Sequence, residues 1–251
     1  MKSREILAYL SVKHNGDWNK IYQDLMNKKY GSEEEMKEIL STIKCNYITL
    51  IDKEYPNYLK QVFKPPFVLF YYGDISLIKD KNQNLLICGG RDIDINNTKA
   101  LEQIIPNMAD KNLITTLSLG TGEIVLRQAI REKRKAVCVM MSGIDNCYPN
   151  SLKNIYDHFK LSRNGLVISE YPNNVQPSNE SGMMRARYIS NLSQEMIVSQ
   201  INKHSGSVVI VNNALQYGNT VNVIPQPFNS DYYNNTLIYE GAIPVVLGCN
   251  C

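Results

Sequence analysis

Two arginines two positions apart, Arg185 and Arg187, precede a Ser205-Gly206-Ser207 triplet that opens an apolar, helix-forming run, and Asn235 follows beside another short apolar segment. Guanidinium forks pair with oxyanions, and the first turn of a helix leaves backbone N–H groups without partners. The set therefore suits an anion, and phosphate is the obvious one. On a strand or extended loop, side chains at i and i+2 point the same way, so both arginines would grip successive phosphates. A solvated basic loop is the plainer alternative. Ser205 is expected to cap the helix and leave N–H donors at its start. Gly89-Gly90-Arg91 supplies a second corner, where glycine lets the backbone approach an oxyanion closely. Gly120 and Thr121, with Gly122, supply a third between a strand and a helix; a carboxylate at Glu123 suits the positive end of that helix.

Catalytic chemistry is harder to find. His204 and Ser205 are neighbours in sequence, which says nothing about their geometry. Asp145, Glu170 and Glu240 are candidate acids with no partner readable from spacing. The Gly120–Glu123 segment is superficially similar to the glycine-threonine-glutamate loop of nucleoside monophosphate phosphoribohydrolases, but Glu123 comes too early for that pattern. The G-x-G-x-x-G dinucleotide fingerprint is absent. Cys249 and Cys251 could hold a soft metal, although a frayed terminus explains them better, and no C-x-x-C pair exists. The expectation is a binding site, not an enzyme, with no cofactor and no metal.

The chain has 251 residues and 43% apolar content, enough for one large α/β domain with a small appendage. A net charge of +3 neither demands nor forbids a polyanionic partner, so a basic site must be local. The 16 tyrosines read first as compositional bias and second as stacking surfaces for bases. Cys88 and Cys138 fall in apolar runs, the usual place for reduced structural cysteines. No apolar signal core opens the chain and no run reaches ~18 apolar residues, so a cytoplasmic protein without a membrane span is expected.

Residues 1–44 repeat apolar side chains at helical spacing and predict three short helices, with a capping box at Ser32–Glu35, in a small SAM-like domain docked on residues 45–251. The period then changes. Strands are predicted at Tyr47–Ile51, Val68–Tyr72, Leu85–Cys88, Leu113–Leu119, Ala136–Met141, Leu166–Ser169, Glu195–Ile201, Val221–Ile224 and Ile243–Leu247. Helices are predicted at Pro56–Val62, Asn97–Met108, Glu123–Lys133, Ser151–Leu161, Val208–Tyr217 and Asn235–Glu240, with Pro106 disturbing the end of one. Such alternation means a doubly wound, mostly parallel Rossmann-like sheet covered on both faces. Ligands of these sheets sit at the carboxyl ends of the strands, where the glycine turns fall.

The same segments resemble the DNA-processing protein A family (DprA, also called Smf) from about Tyr47 to Val246. The resemblance is carried by I-T-L-I-D-K-E-Y-P-N-Y-L at Ile48–Leu59, P-P-F-V-L-F-Y-Y-G-D at Pro65–Asp74, G-I-D-N-C-Y-P at Gly143–Pro149 and G-L-V-I-S-E-Y-P at Gly165–Pro172. Gly89-Gly90-Arg91 is similar to the family's Gly-Ser-Arg turn, Arg185-Ala186-Arg187 to its Arg-Asn-Arg, and Ser205-Gly206-Ser207, Asn235 and Gly241-Ala242 complete the order. The resemblance implies an extended Rossmann fold, a homodimer, single-stranded DNA in a basic pocket, and transfer of that DNA to a RecA-type recombinase during natural transformation. It also implies a small helical domain in front, matching residues 1–44. A winged helix found behind the core in some members is not expected here.

Departures from the family pattern weaken one wall of the pocket. Thr121 stands where a positive residue is usual, Ile124 where an aspartate is, Ala186 for an asparagine, Gly182-Met183 for Phe-Pro, Ile210 for a threonine, and Gln226 for a glycine. Losing one phosphate contact lowers affinity and its salt dependence without abolishing either. Two rivals stay open: a Rossmann-like sensor of a nucleotide or nucleotide-derived ligand, and a nucleotide-hydrolysing enzyme on the same sheet.

Overall fold

Local signals in the first 41 residues act as they should. In the computed structural model, which describes residues 3–246, three helices form: α1 (Ser3–Lys13), α2 (Trp18–Met26) and α3 (Glu33–Ser41). Asp17 caps α2 by accepting from the N–H groups of Asn19 and Lys20, and Ser32 caps α3 by accepting from Glu35. Three glutamates fill the first turn of α3, against the positive end of its dipole. The helices cannot enclose a core alone. Leu7, Tyr9, Leu10, Ile21 and Met36 join one apolar cluster with Phe67, Val68 and Phe70 of the sheet body. Trp18 stacks with Phe67 and donates from Nε1 to the Pro65 carbonyl at 2.9 Å.

The remainder is a mixed α/β body. Its strands are β1 (Asn46–Thr49), β2 (Val68–Gly73), β3 (Asn84–Cys88), β4 (Asn112–Thr116), β5 (Ala136–Val139), β6 (Gly165–Ser169), β7 (Glu195–Val198), β8 (Thr220–Val223) and β9 (Ile243–Pro244). They form one sheet of nine strands among the described residues, ordered β1-β2-β6-β5-β4-β3-β7-β8-β9. β1–β2 and β2–β6 pair antiparallel, and every other neighbour is parallel. The helices are α4 (Ile95–Asn107), α5 (Thr121–Arg131), α6 (Lys153–Leu161), α7 (Asn179–Ile189), α8 (Gly206–Gln216) and α9 (Asn234–Tyr239). Alternate strand residues face opposite cores. Leu85, Ile87, Cys138 and Val167 enter one apolar cluster; Leu86, Cys88, Val137 and Ile168 enter the other. Burial on both faces is why these strands are continuously apolar.

The structure corrects several sequence boundaries. Strands expected to reach Leu119, Met141 and Ile201 end at Thr116, Val139 and Val198, because the chain turns into the functional loops there. The helix expected over Pro56–Val62 is a 3-10 turn at Asn57–Gln61. α5 starts at Thr121 and α8 at Gly206, each two residues earlier than expected. The last strand pairs over Ile243–Pro244, while Leu247, Cys249 and Cys251 lie outside the described residues. The largest correction concerns Arg185 and Arg187, which sit on α7 and not on a strand or extended loop. Pro106 lies inside α4 near its end. Proline has no N–H for the Glu102 carbonyl four residues back, and Gln128 of α5 donates to that carbonyl instead, at 3.2 Å.

Among the described residues, no helix is long and apolar enough to cross a membrane. Trp18→Ala removes a stacked ring and a hydrogen bond between the helices and the sheet body. It should cost about 2–4 kcal/mol. The check is a urea titration: a lower midpoint with an unchanged slope means helices and sheet unfold together.

Candidate functional site

The sheet order reverses between β3 and β7. From β3 the chain crosses through α4 to β4 on one side; from β7 it crosses through α8 to β8 on the other. A crevice must open outside the carboxyl ends of these two strands, since no helix covers the point where connections diverge. A cleft of about 640 Å³ lies there. Its floor and walls come from Gly89–Asp92 after β3, Leu117–Leu119 after β4, Gln200–Asn202 after β7, the first turn of α8, and the cleft-facing side of α7.

Close backbone approach holds the floor. Gly90 N–H donates to the Gln200 carbonyl at 2.7 Å, and Thr121 N–H donates to the Gly90 carbonyl at 3.1 Å. The Thr121 and Ser199 hydroxyls share a hydrogen bond of 2.6 Å directly over Gly89, where a Cβ would lie 1.8 Å from Ser199 Oγ. Gly120 adopts φ +68°, and a Cβ there would come within 2.2 Å of the Arg91 carbonyl oxygen. Gly89 and Gly120 are thus glycines because β3, β7 and α5 meet without room for a side chain. This changes the part given to three expected contacts. Gly90 has spent its N–H on Gln200. Gly120 and Thr121 lie behind the Gly89–Arg91 turn, with Thr121 buried, so neither lines the cleft.

The first turn of α8 does face the cleft. Ser205 caps it, accepting from Ser207 N–H at 3.2 Å, and Ser207 Oγ donates to the Gly89 carbonyl at 2.6 Å. The space above Gly206 is open, with no atom within 4 Å of a would-be Cβ. A helix start pointing into a cleft beside guanidinium groups has the chemistry that suits an anion.

The two arginines of α7 do opposite work. An α-helix turns 100° per residue, so positions i and i+2 face nearly opposite ways. Arg185 lines the cleft. Its Nη1 reaches the Val139 carbonyl at a long 3.5 Å, and its Nε is buried without a partner. Burial, helped by the like charge of Arg91, pulls Arg185 down to about 10. Arg91 is exposed and makes no hydrogen bond or ion pair among the described residues. Neither guanidinium has a carboxylate partner among the described residues.

Arg187 is buried and saturated. It pairs with Glu170 through both Nη atoms, Nη1 meeting Oε2 at 2.7 Å, and donates from Nε to the Lys64 carbonyl at 2.7 Å and from Nη1 to the Met184 carbonyl at 2.5 Å. Burial raises the Glu170 carboxyl against the pull of Arg187, whereas Arg187 is held above its ordinary value by Glu170 despite burial. Asn235 also leaves the cleft. It clasps the backbone of Gln226, accepting at 3.0 Å and donating at 2.9 Å, and so ties α9 to the loop after β8.

Sequence reasoning overlooked Asn234, whose buried amide accepts from Ile201 N–H at 2.9 Å and donates to the carbonyls of Ile224 and Ser199, bracing the loop after β7. It also overlooked Gln200, Met183, Tyr148 and Tyr232, all of which line the cleft. Tyr148 belongs to the Cys-Tyr-Pro motif, and Met183 is one of the departures from the family pattern. Among the acids considered earlier, Glu170 belongs to Arg187, and Asp145 accepts from the Tyr72 hydroxyl at 2.6 Å away from the cleft. No group of three or more His, Cys, Asp or Glu able to hold a metal occurs among the described residues.

Residues 46–248 match the family model described as DNA recombination-mediator protein A. The chain is 29% identical over 201 residues to DNA processing protein DprA of Bacillus subtilis, covering 78% of this chain and 67% of that one. It is 28% identical over 203 residues to DprA of Streptococcus pneumoniae, covering 80% and 71%. The X-ray structure of the S. pneumoniae protein superposes with a TM-score of 0.77 at 24% identity, over 97% of this chain and 90% of that one. The Helicobacter pylori protein superposes at 0.71 and 24%, over 80% and 91%.

The contrast within α7 is measurable. Arg187→Met should cost about 3–5 kcal/mol, because it leaves Glu170 buried without its counter-charge, and Glu170→Leu in the same chain should restore much of that loss. Arg185→Met, which removes a guanidinium with an unpartnered Nε, should change stability by no more than about 1 kcal/mol. Equal losses in urea denaturation for the two single variants would contradict this division.

Proposed function

The chain belongs to the DNA recombination-mediator protein A family, and on that premise we propose that its cleft binds single-stranded DNA during DNA processing and recombination. The observation that carries the reading is the pair Arg91 and Arg185, two guanidiniums that face one cleft at the switch point and have no salt bridge among the described residues. The related H. pylori protein binds single-stranded DNA. In this reading a phosphate lies between Arg91, Arg185 and the Gly206 N–H at the start of α8, the Ser207 and Val208 N–H groups being held by Ser205. Met183, Tyr148 and Tyr232 offer apolar surface to the adjoining sugar and base. Arg187 serves as the residue that orients Arg185, and Gly89, Gly120, Thr121 and Asn235 as those that shape the floor.

In this reading the protein acts by holding the strand, for which the cleft presents cationic donors. We assign it a homodimeric state and a hand-off of bound DNA to a RecA-type recombinase, in keeping with a family named for mediating recombination. The four described cysteines are unpaired, which suits a reducing cytoplasm.

A salt titration tests the reading. The logarithm of affinity for a labelled strand of about 30 nucleotides should fall linearly with the logarithm of salt concentration, by about 0.7 per phosphate contacted. Arg185→Ala and Arg91→Ala should each weaken binding and make that slope shallower by roughly one contact. Absent binding, together with thermal stabilisation by a mononucleotide, would instead favour a nucleotide sensor.

A further inference from the structure

Part of α7 edges the cleft. Met183 forms its rim and is 63% exposed. Arg187 lies one turn further along α7 on the same face, and the Lys64 carbonyl covers it. The loop carrying Phe63 and Lys64 is therefore held to α7 one turn from Met183, with Phe63 N–H at 3.4 Å from the Tyr217 hydroxyl at the end of α8. Phe63 is 70% exposed. The Lys64 ammonium donates to Asn19 Oδ1 at 2.7 Å, and it lies 5.2 Å from the centre of the Trp18 ring and 5.5 Å from that of Phe63.

Next to Lys64 stands a preformed aromatic stack. Trp18 stacks with Phe67, centroids 5.0 Å apart and planes 22° apart, and with Tyr22, 5.0 Å apart and 13°. Phe67 is buried, Trp18 half-buried and Tyr22 45% exposed, so the stack climbs from the core to the surface. Rings already held parallel lose little entropy when another flat ring is added. The carboxylates of α2 are engaged, Asp17 with the helix start and Lys20, Asp24 with His14 at 2.7 Å.

We propose that Tyr22 and Phe63 form a base-stacking platform for the part of a single strand that leaves the cleft over Met183, with Lys64 and Lys20 meeting its phosphates. This rests on the cleft reading above and extends it to α2. Two features favour nucleic acid over a protein surface. The Lys64 ammonium lies beside the Trp18 and Phe63 rings, as a polyanion with flat bases requires, and the loop that carries it is held to α7, whose Met183 and Arg185 line the cleft. Such stacking is indifferent to sequence, because every base has a π face.

The experiment compares two oligothymidylates, one of about 6 nucleotides that fills the cleft and one of about 30 that reaches α2. Tyr22→Ala and Phe63→Ala should each weaken the long strand about tenfold and leave the short one unchanged, whereas Tyr22→Trp keeps wild-type affinity. Arg185→Ala should weaken both. Trp18, the sole tryptophan, should change its emission in the wild type on adding the long strand and not the short one. Wild-type melting temperatures show that the variants are folded, and Phe63→Ala stands in should Tyr22→Ala not fold. Unchanged affinity for the long strand in both variants, with Trp18 emission unmoved and Arg185→Ala still impaired, would remove the platform and leave the cleft standing. A wild type that binds neither strand would remove both.

Discussion

The buried pair between Arg187 and Glu170 orients the functional end of the molecule. Glu170 directly follows β6, Arg187 sits in the last turn of α7, and the same guanidinium binds the carbonyl of Lys64. One side chain thereby sets the rotation of α7 about its axis and the position of the loop that carries Trp18's acceptor, Pro65. Burying two charges contributes little net stability, since desolvation offsets much of their attraction. Its consequence here is geometric. With Arg187 turned inward, Arg185 two residues away is turned into the cleft, and Met183 is left at the rim.

The cleft then follows from topology. Parallel strands whose connections run in opposite directions leave a gap at their carboxyl ends, and here that gap lies between β3 and β7. Gly89, Ser199 and Thr121 close it from below by packing too tightly for a side chain at position 89. The polar network around the floor is satisfied, while the guanidiniums facing the opening are not. Donors already paired hold the shape of the floor, and those left over face the opening. Thr121, where the family pattern has a basic residue, is spent on the floor through its hydrogen bond with Ser199.

Aromatic residues extend the same logic outward. Phe67 belongs to the core, Trp18 joins the helices to the sheet, and Tyr22 emerges at the surface, so one stack serves packing at its base and presents a flat ring at its top. The N-terminal helices are thus fastened to the sheet by the feature that gives them a surface of their own.

Sequence by itself determined the class of fold and the identity of the site's neighbourhood. Apolar periods marked the helices and strands, and glycine-rich turns at strand ends placed the Gly89–Arg91, Gly120–Gly122 and Ser205–Ser207 segments at one end of the sheet. These signals are local, because they depend on which residues alternate and which can turn. Tertiary structure decided which side chains face the cleft. Whether Arg185 and Arg187 point together or apart depends on the backbone period of their segment, which proline-free polar sequence leaves ambiguous between helix and extended chain. Whether Arg187 is free or paired depends on Glu170, seventeen residues away, and on Lys64, more than a hundred residues away. Asn234 and Asn235 could not be told apart by type, yet one braces the loop after β7 and the other clasps Gln226. A side chain's partner is a property of three-dimensional proximity, so composition and spacing named the candidates and packing chose among them.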